Sequence, residues 1–297
     1  MVTQKFQSMK KLNIILVILF VLPLMISAQE EETTKVKSKP VRPAFACPTV
    51  IDHQTVFIPT AKTLEFVIEH RFDRIENISN LFGIYGSTNV RLGVNYSITD
   101  KLSVGFGTTK MRKLQDFRIK YNILEQTRDD KIPVAVTAYG NMGIDARDES
   151  YFGQNYQFTN RLSYYAELIV ARKFTNWLSI QVAGNFSHIN RVDSLMEHDK
   201  IGISFSGRAR VSAQSSIVFN YGIPLDIKGI QEHTTLTNPP KDNFGIGWEI
   251  ATSTHCFQIF VSSATDLSPQ YTMMENQNDW LDGDLFFGFT ITRLWSF

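Results

Sequence analysis

Beyond residue 28 the sequence has no apolar run approaching the roughly 20 residues that a helix needs to cross a bilayer, so helical membrane spans are excluded there. Cysteine is scarce, with only Cys47 and Cys256 in 297 residues. Two thiols cannot build a cysteine-based zinc site, and there is no C-x-x-C-H haem attachment. The six histidines, at 53, 70, 188, 198, 233 and 255, show no ligand spacing. No cofactor or metal is implied. A charge excess of one sign is missing too: 30 basic against 29 acidic residues leaves no electrostatic footprint for nucleic acid. Proline is absent from every segment of alternating polarity, since all ten (23, 40, 43, 48, 59, 133, 224, 239, 240 and 269) fall between them. A proline removes a ladder donor, so this distribution marks strand interiors.

What the chain does have is period-two alternation. Apolar residues recur at every second position in twelve short blocks, within 64–72, 90–98, 102–106, 117–123, 134–138, 162–170, 178–186, 201–211, 217–221, 244–250, 257–261 and 285–297. That period belongs to a sheet with two different faces. Connections alternate between short (99–101, 173–177, 212–216, 252–256) and long (73–89, 140–161, 187–200, 222–243, 262–284), with the third block the exception. Short turns at one end, long loops at the other and an even strand count are the pattern of a transmembrane barrel. The expectation is an all-β, antiparallel up-and-down transmembrane β-barrel of about 12 strands, with both termini at the short-turn end. Trp177, Trp248, Trp295 and Phe297 then collect at that end, and Phe72, Phe186, Phe244 and Phe287 near the other, as interfacial girdles do.

The two ends of the sequence agree with this reading. Lys5, Lys10 and Lys11 precede an apolar stretch from Leu12 to Ile26, and Ile26, Ser27 and Ala28 offer a small-residue cleavage site. Residues 1–28 read as a secretory signal peptide, because the stretch is too short for a membrane anchor. Its removal takes three lysines and no acid, leaving 27 basic against 29 acidic residues. Residues 29–62 hold four prolines and no amphipathic row, which suits an extended periplasmic arm able to enter the barrel mouth, and the barrel itself spans 63–297. The last block ends on Phe289, Ile291, Trp295 and Phe297. An aromatic at a fraying terminus has no use in a soluble domain, and this ending resembles the C-terminal signal by which outer-membrane proteins reach the barrel-assembly machinery.

The segments IDHQTVFIPTAKTLEFVIEHRF (51–72), NVRLGVNY (89–96), GNMGIDAR (140–147), ISFSGR (203–208), FGIGWEIATSTHCFQIF (244–260) and GFTITRLWSF (288–297) carry a resemblance to a known family. From residue 42 onward the chain is similar to an uncharacterised family of outer-membrane β-barrel proteins from Bacteroidota. The resemblance implies a barrel in the cell outer membrane, with outer-membrane lipid as surroundings. It supplies no catalytic or binding residues. A soluble periplasmic barrel or sandwich binding module is the competing architecture, in which the same alternation faces a core.

Strand parity places Arg71, Arg91, Arg118, Lys120, Arg208 and Arg210 inside, with Glu65, Glu69, Asp116, Glu167 and Glu249. A twelve-strand barrel has a backbone diameter of about 25 Å and, after side chains, about 10 Å of lumen. A selective pore needs a ring of one sign, whereas six charges against five are expected to pair across the lumen and fill it. The function read from sequence is therefore a narrow or gated channel or a structural platform, and not an enzyme. A barrel hydrolase would need a nucleophile: His70 and His188 lie near strand ends and Ser187 adjoins one of them, yet neighbours on a strand face opposite ways. Gly202-Ile203-Ser204-Phe205-Ser206 misses G-x-S-x-G at its last position, and Gly105-Phe106-Gly107 is no phosphate loop. Asn276, Asn278, Asp279, Asp282 and Asp284 do not match an EF-hand loop and read as a polar hairpin turning at Asp282-Gly283. Arg293 has lipid-facing parity, which requires snorkelling or a bulge. Cys47 and Cys256 fall at the same end of the barrel, where a disulfide pinning the arm and two unpaired thiols are both open.

Overall fold

The computed structural model describes residues 38–76, 78–193, 196–227 and 238–297; the signal-peptide reading of 1–28 and the start of the arm lie outside these. A small hairpin comes first, β1 (Thr49–Val50) against β2 (His53–Gln54). Twelve long strands follow: β3 (Thr63–Arg74), β4 (Asn89–Ser97), β5 (Leu102–Thr109), β6 (Leu114–Leu124), β7 (Ala135–Ile144), β8 (Leu162–Lys173), β9 (Leu178–Ile189), β10 (Asp199–Arg210), β11 (Ser215–Leu225), β12 (Asn243–Ala251), β13 (His255–Ser262) and β14 (Phe286–Ser296). They form a closed barrel in which each strand is antiparallel to its sequence neighbours, and β14 pairs with β3 to complete it. Closure removes the exposed sheet edges that would otherwise invite aggregation.

The alternation seen in sequence becomes two faces. Outward positions carry Leu92, Val94, Phe106, Phe117, Ile119, Leu168, Ile217, Ile246 and Ile259, each exposed by between 40% and 54%. They are stacked across the sheet: Val94 opposes Phe106, and Phe106 opposes Phe117 with ring centroids 5.3 Å apart. An apolar belt of this extent is unstable in water and stable against lipid tails. Trp177, Trp248 and Trp295 are exposed at the end where β3 begins and β14 finishes, hereafter the near end. Among the described residues no helix is long and apolar enough to cross a membrane.

Arg293 keeps its register, opposite His255 on β13 and Phe66 on β3. The bulge in this strand pair lies at the other end, between Phe286 and Gly288. The guanidinium therefore stays on the lipid face and reaches past the strand to sit 5.5 Å from the Trp295 ring, near the rim, where the cost of a charge is small.

Candidate functional site

The lumen is the natural concavity of such a barrel, and the chain's own N-terminal arm occupies it. The arm enters at the near end, where Pro40 bridges to Thr127 and Val41 N–H donates to Gln126 O at 2.8 Å in the loop between β6 and β7. It then turns inward. Phe45, Val50, Ile51 and Val56 are buried against Ile169, Ala171, Ala183, Val218 and Phe260 of the wall, forming an apolar core inside the barrel. The β1–β2 hairpin places its polar groups on wall side chains: Gln258 Nε2 donates to Thr49 O at 2.9 Å and Gln258 Oε1 accepts from Ile51 N–H at 3.0 Å. Lys120 Nζ donates to Pro48 O (2.9 Å) and Gln181 Nε2 to Gln54 O (2.6 Å).

Asp52, at the tip of the hairpin, is the main anchor. One carboxylate oxygen pairs with Arg71, and the other accepts from Ser262 Oγ (2.6 Å), Asn243 Nδ2 (3.1 Å) and Asn220 Nδ2 (3.4 Å). A buried carboxylate held by four donors from four different strands, β3, β11, β12 and β13, ties the tip of the hairpin to that sector of the wall. His53 Nδ1 lies 3.0 Å from Ser206 Oγ. At the base of the arm Cys47 and Cys256 are joined in a disulfide, with Cα atoms 6.2 Å apart, closing 209 residues of chain. Beside it Glu249 pairs with Arg208 at 2.6 Å. Cys47, Glu249 and Cys256 bring their ligand atoms within 4.8 Å of one another, but joined sulfurs offer no thiolate to a metal.

The far end is narrowed by a second element, which the sequence reading did not foresee. In the loop after β13, α1 (Pro269–Glu275) turns into the barrel with Gln270, Tyr271, Thr272, Met273 and Met274 buried. Tyr271 and Met274 pack on Leu114 and Ile189, inward-facing residues at strand ends. Gln270 Nε2 donates to Asn141 Oδ1 (3.1 Å) and Ser163 Oγ (3.0 Å). Arg112, from the short turn between β5 and β6, pairs with both Asp266 and Glu275 and lies 3.9 Å from the Tyr271 ring. Burial pushes the Glu275 carboxyl up, with Arg112 opposing that shift. The polar hairpin is present just beyond: Gly283 adopts φ 83°, Asp279 caps Leu281 N–H at 3.0 Å and Asp284 pairs with Arg74 at 2.5 Å. Asp279 thus serves the turn itself, while Asp284 ties it to β3.

The wall charges pair differently from the expectation. Arg91 reaches Asp116 through Nε (2.7 Å) and Nη2 (2.8 Å) and Glu69 through Nη1 (2.8 Å), while Arg118 Nε meets Asp116 at 2.7 Å. These bonds run along the wall between strands at most two apart, and the arm supplies the links across the lumen. Glu65 and Glu167 are buried without an ion pair among the described residues, Glu167 accepting from Ser204 Oγ at 3.0 Å. Arg210 does not belong to the interior: it ends β10 beside the near-end turn, opposite Ser216, and is exposed to water. Glycines make room for the network. A Cβ at Gly107 would fall 2.0 Å from Arg91 Nη2, and one at Gly105 would fall 1.8 Å from Asn95 Oδ1. Between the arm and the wall remains a cavity of about 30 Å³ lined by Pro48, Phe57, Glu65, Arg118 and Lys120, space for a few waters.

The hydrolase candidates do not assemble. His188 Nδ1 meets Asp199 (2.8 Å) and its Nε2 meets Asn190 (2.6 Å), whereas Ser187 is buried on the opposite face. His70 stacks on Phe289 with centroids 4.9 Å apart. The plug did leave a trace in the sequence: Ile169, Val218 and Phe260 are apolar at lumen parity, which an aqueous interior does not need.

Residues 45–295 match the model of a family described as a membrane bound beta barrel domain (DUF5777). No curated protein matches the sequence. Among solved structures the chain is similar to an outer-membrane channel from Pseudomonas putida F1, at 12% identity and a TM-score of 0.47, covering 81% of this chain and 97% of that one. It is also similar to the KdgM porin, at 6% identity and a TM-score of 0.45, covering 78% and 99%. A third similarity is to the outer-membrane expressed OmpT of Vibrio cholerae, at 13% identity and a TM-score of 0.40, covering 81% and 100%.

Proposed function

Because the chain belongs to this family of membrane-bound β-barrel domains, we propose that it resides in the bacterial outer membrane as a barrel shut by its own N-terminal arm, acting as a structural and interaction platform and not as an open diffusion pore. The observation that supports this reading is the arm itself, buried in the lumen and bound covalently through Cys47 to Cys256. The oxidising periplasm favours such a bond, and an arm held by it together with the Asp52 anchor stays in place on ordinary timescales. In this reading the near end faces the periplasm, the long loops face outward and the protein is non-enzymatic. The terminal strand, with Phe289, Ile291, Trp295 and Phe297, is what the barrel-assembly machinery engages.

A gated channel is the second reading, and one observation favours it: the plug is a terminal segment, so it can leave without opening the wall, and its covalent tie is a single reducible bond. Uptake of small sugars into proteoliposomes, with and without a dithiol reductant, separates the two. The platform reading predicts no uptake in either state. Uptake only after reduction would assign the gated channel, and uptake by the oxidised protein would contradict both.

A further inference from the structure

The charged side chains at lipid-facing strand positions are paired, with one exception. Arg172, near the end of β8, meets Asp130 at 2.8 Å. Asp199, at the start of β10, meets His188 at 2.8 Å. Arg293 faces no carboxylate among the described residues. Its Nη1 meets the His255 ring, 3.2 Å from Nδ1 and in contact with Nε2, and its guanidinium lies 5.5 Å from the Trp295 ring centroid. Arginine has donors only, so a ring nitrogen of the imidazole accepts in this contact. Among the described residues no negative charge balances the guanidinium.

The surroundings specify what does. Trp295 is an interfacial anchor, and such rings sit at the level of lipid headgroups. Phe66, opposite Arg293, and Phe257, which stacks on His255 with centroids 5.8 Å apart, flank the site with apolar surface facing the acyl chains. The guanidinium fork matches the oxygens of a phosphate, and a partly desolvated site strengthens the bond. We propose that Arg293, His255 and Trp295 form a binding site for the phosphate group of a glycerophospholipid in the near-end leaflet. Arg293 pairs with the phosphate, His255 orients the guanidinium, and the aromatic rings seat the lipid.

Native mass spectrometry of the full-length protein tests this, with micelles doped with phosphatidylglycerol, with a phosphate-free galactosyl diacylglycerol, or with inorganic phosphate alone. Wild type is expected to retain one phosphatidylglycerol in preference to the galactolipid. Arg293→Gln should lower that retained fraction about five- to tenfold. Arg172→Gln should leave it unchanged, because Arg172 already has a carboxylate. Arg293→Lys keeps the charge and loses the fork, so it should bind more weakly than wild type while still preferring phosphatidylglycerol; this variant decides the question if Arg293→Gln does not fold. Equal retention of the two lipids by wild type, or wild-type retention in a folded Arg293→Gln, would overturn the site. An adduct with inorganic phosphate as persistent as that with phosphatidylglycerol would reassign it to a free anion.

Discussion

At the residue scale, Asp52 and Arg91 carry the greatest burden of buried charge. Asp52→Ala leaves the Arg71 guanidinium buried over the Phe260 ring, 4.5 Å away, with no carboxylate. Breaking a buried pair in this way is expected to cost about 3–5 kcal/mol. The temperature at which the heat-modifiable band shifts on denaturing gels should fall, and an unchanged transition would show that the arm is not anchored there. Gly107→Ala puts a methyl group onto the Arg91 guanidinium and should cost about 1–3 kcal/mol by overpacking. Gly184→Ala, whose Cβ meets nothing within 4 Å, is the neutral control in the same assay. Parity in the sequence identified which charges face inward, Arg210 excepted, but not their partners. A period of two gives a face, whereas pairing also joins strands such as β4 and β6, which flank β5 in the sheet and are separated in sequence.

At the element scale, the twelve strands were legible because each has a greasy face several residues long, and register amplifies that signal. Of the two elements inside the lumen, the arm was legible only as a segment able to enter the mouth, and α1 not at all. The arm is too irregular to show a period, and α1 has only seven residues, fewer than the 10–12 by which helical periodicity is recognised. Both are held by a few identifiable contacts. Arg112→Ala removes the cation shared by Asp266 and Glu275 and should expose residues 266–275 to added protease in detergent, while the strands stay resistant. Protection equal to wild type would mean that Leu114 and Ile189 hold α1 alone. The disulfide closes 209 residues, a loop worth about 5 kcal/mol in the chain-entropy model. Labelling of the unfolded, unreduced protein should find no free thiol, and Cys256→Ser should render residues 38–56 cleavable. Two reactive thiols per chain would remove the covalent tie from the account.

At the scale of the whole molecule, the barrel wall presents an apolar belt outward and a polar interior that is itself filled, from the near end by the arm and from the far end by α1. The membrane-bound class follows from the belt and the closed sheet, and both could be read from alternation and connection lengths. Occupancy of the lumen was legible only in part, as an arm able to enter the mouth, since its detail depends on contacts such as Lys120 with Pro48 and Gln258 with Thr49, far apart in the chain. The central claim is that the arm shuts the barrel. Planar-bilayer conductance of the oxidised wild-type protein, compared with a chain that lacks residues 38–56 and carries Cys256→Ser, tests it most directly once gel mobility shows both to be folded. The account predicts no steady current from the wild type and a steady ohmic current from the armless barrel. A steady current from the oxidised wild type, equal to that of the armless barrel, would contradict it.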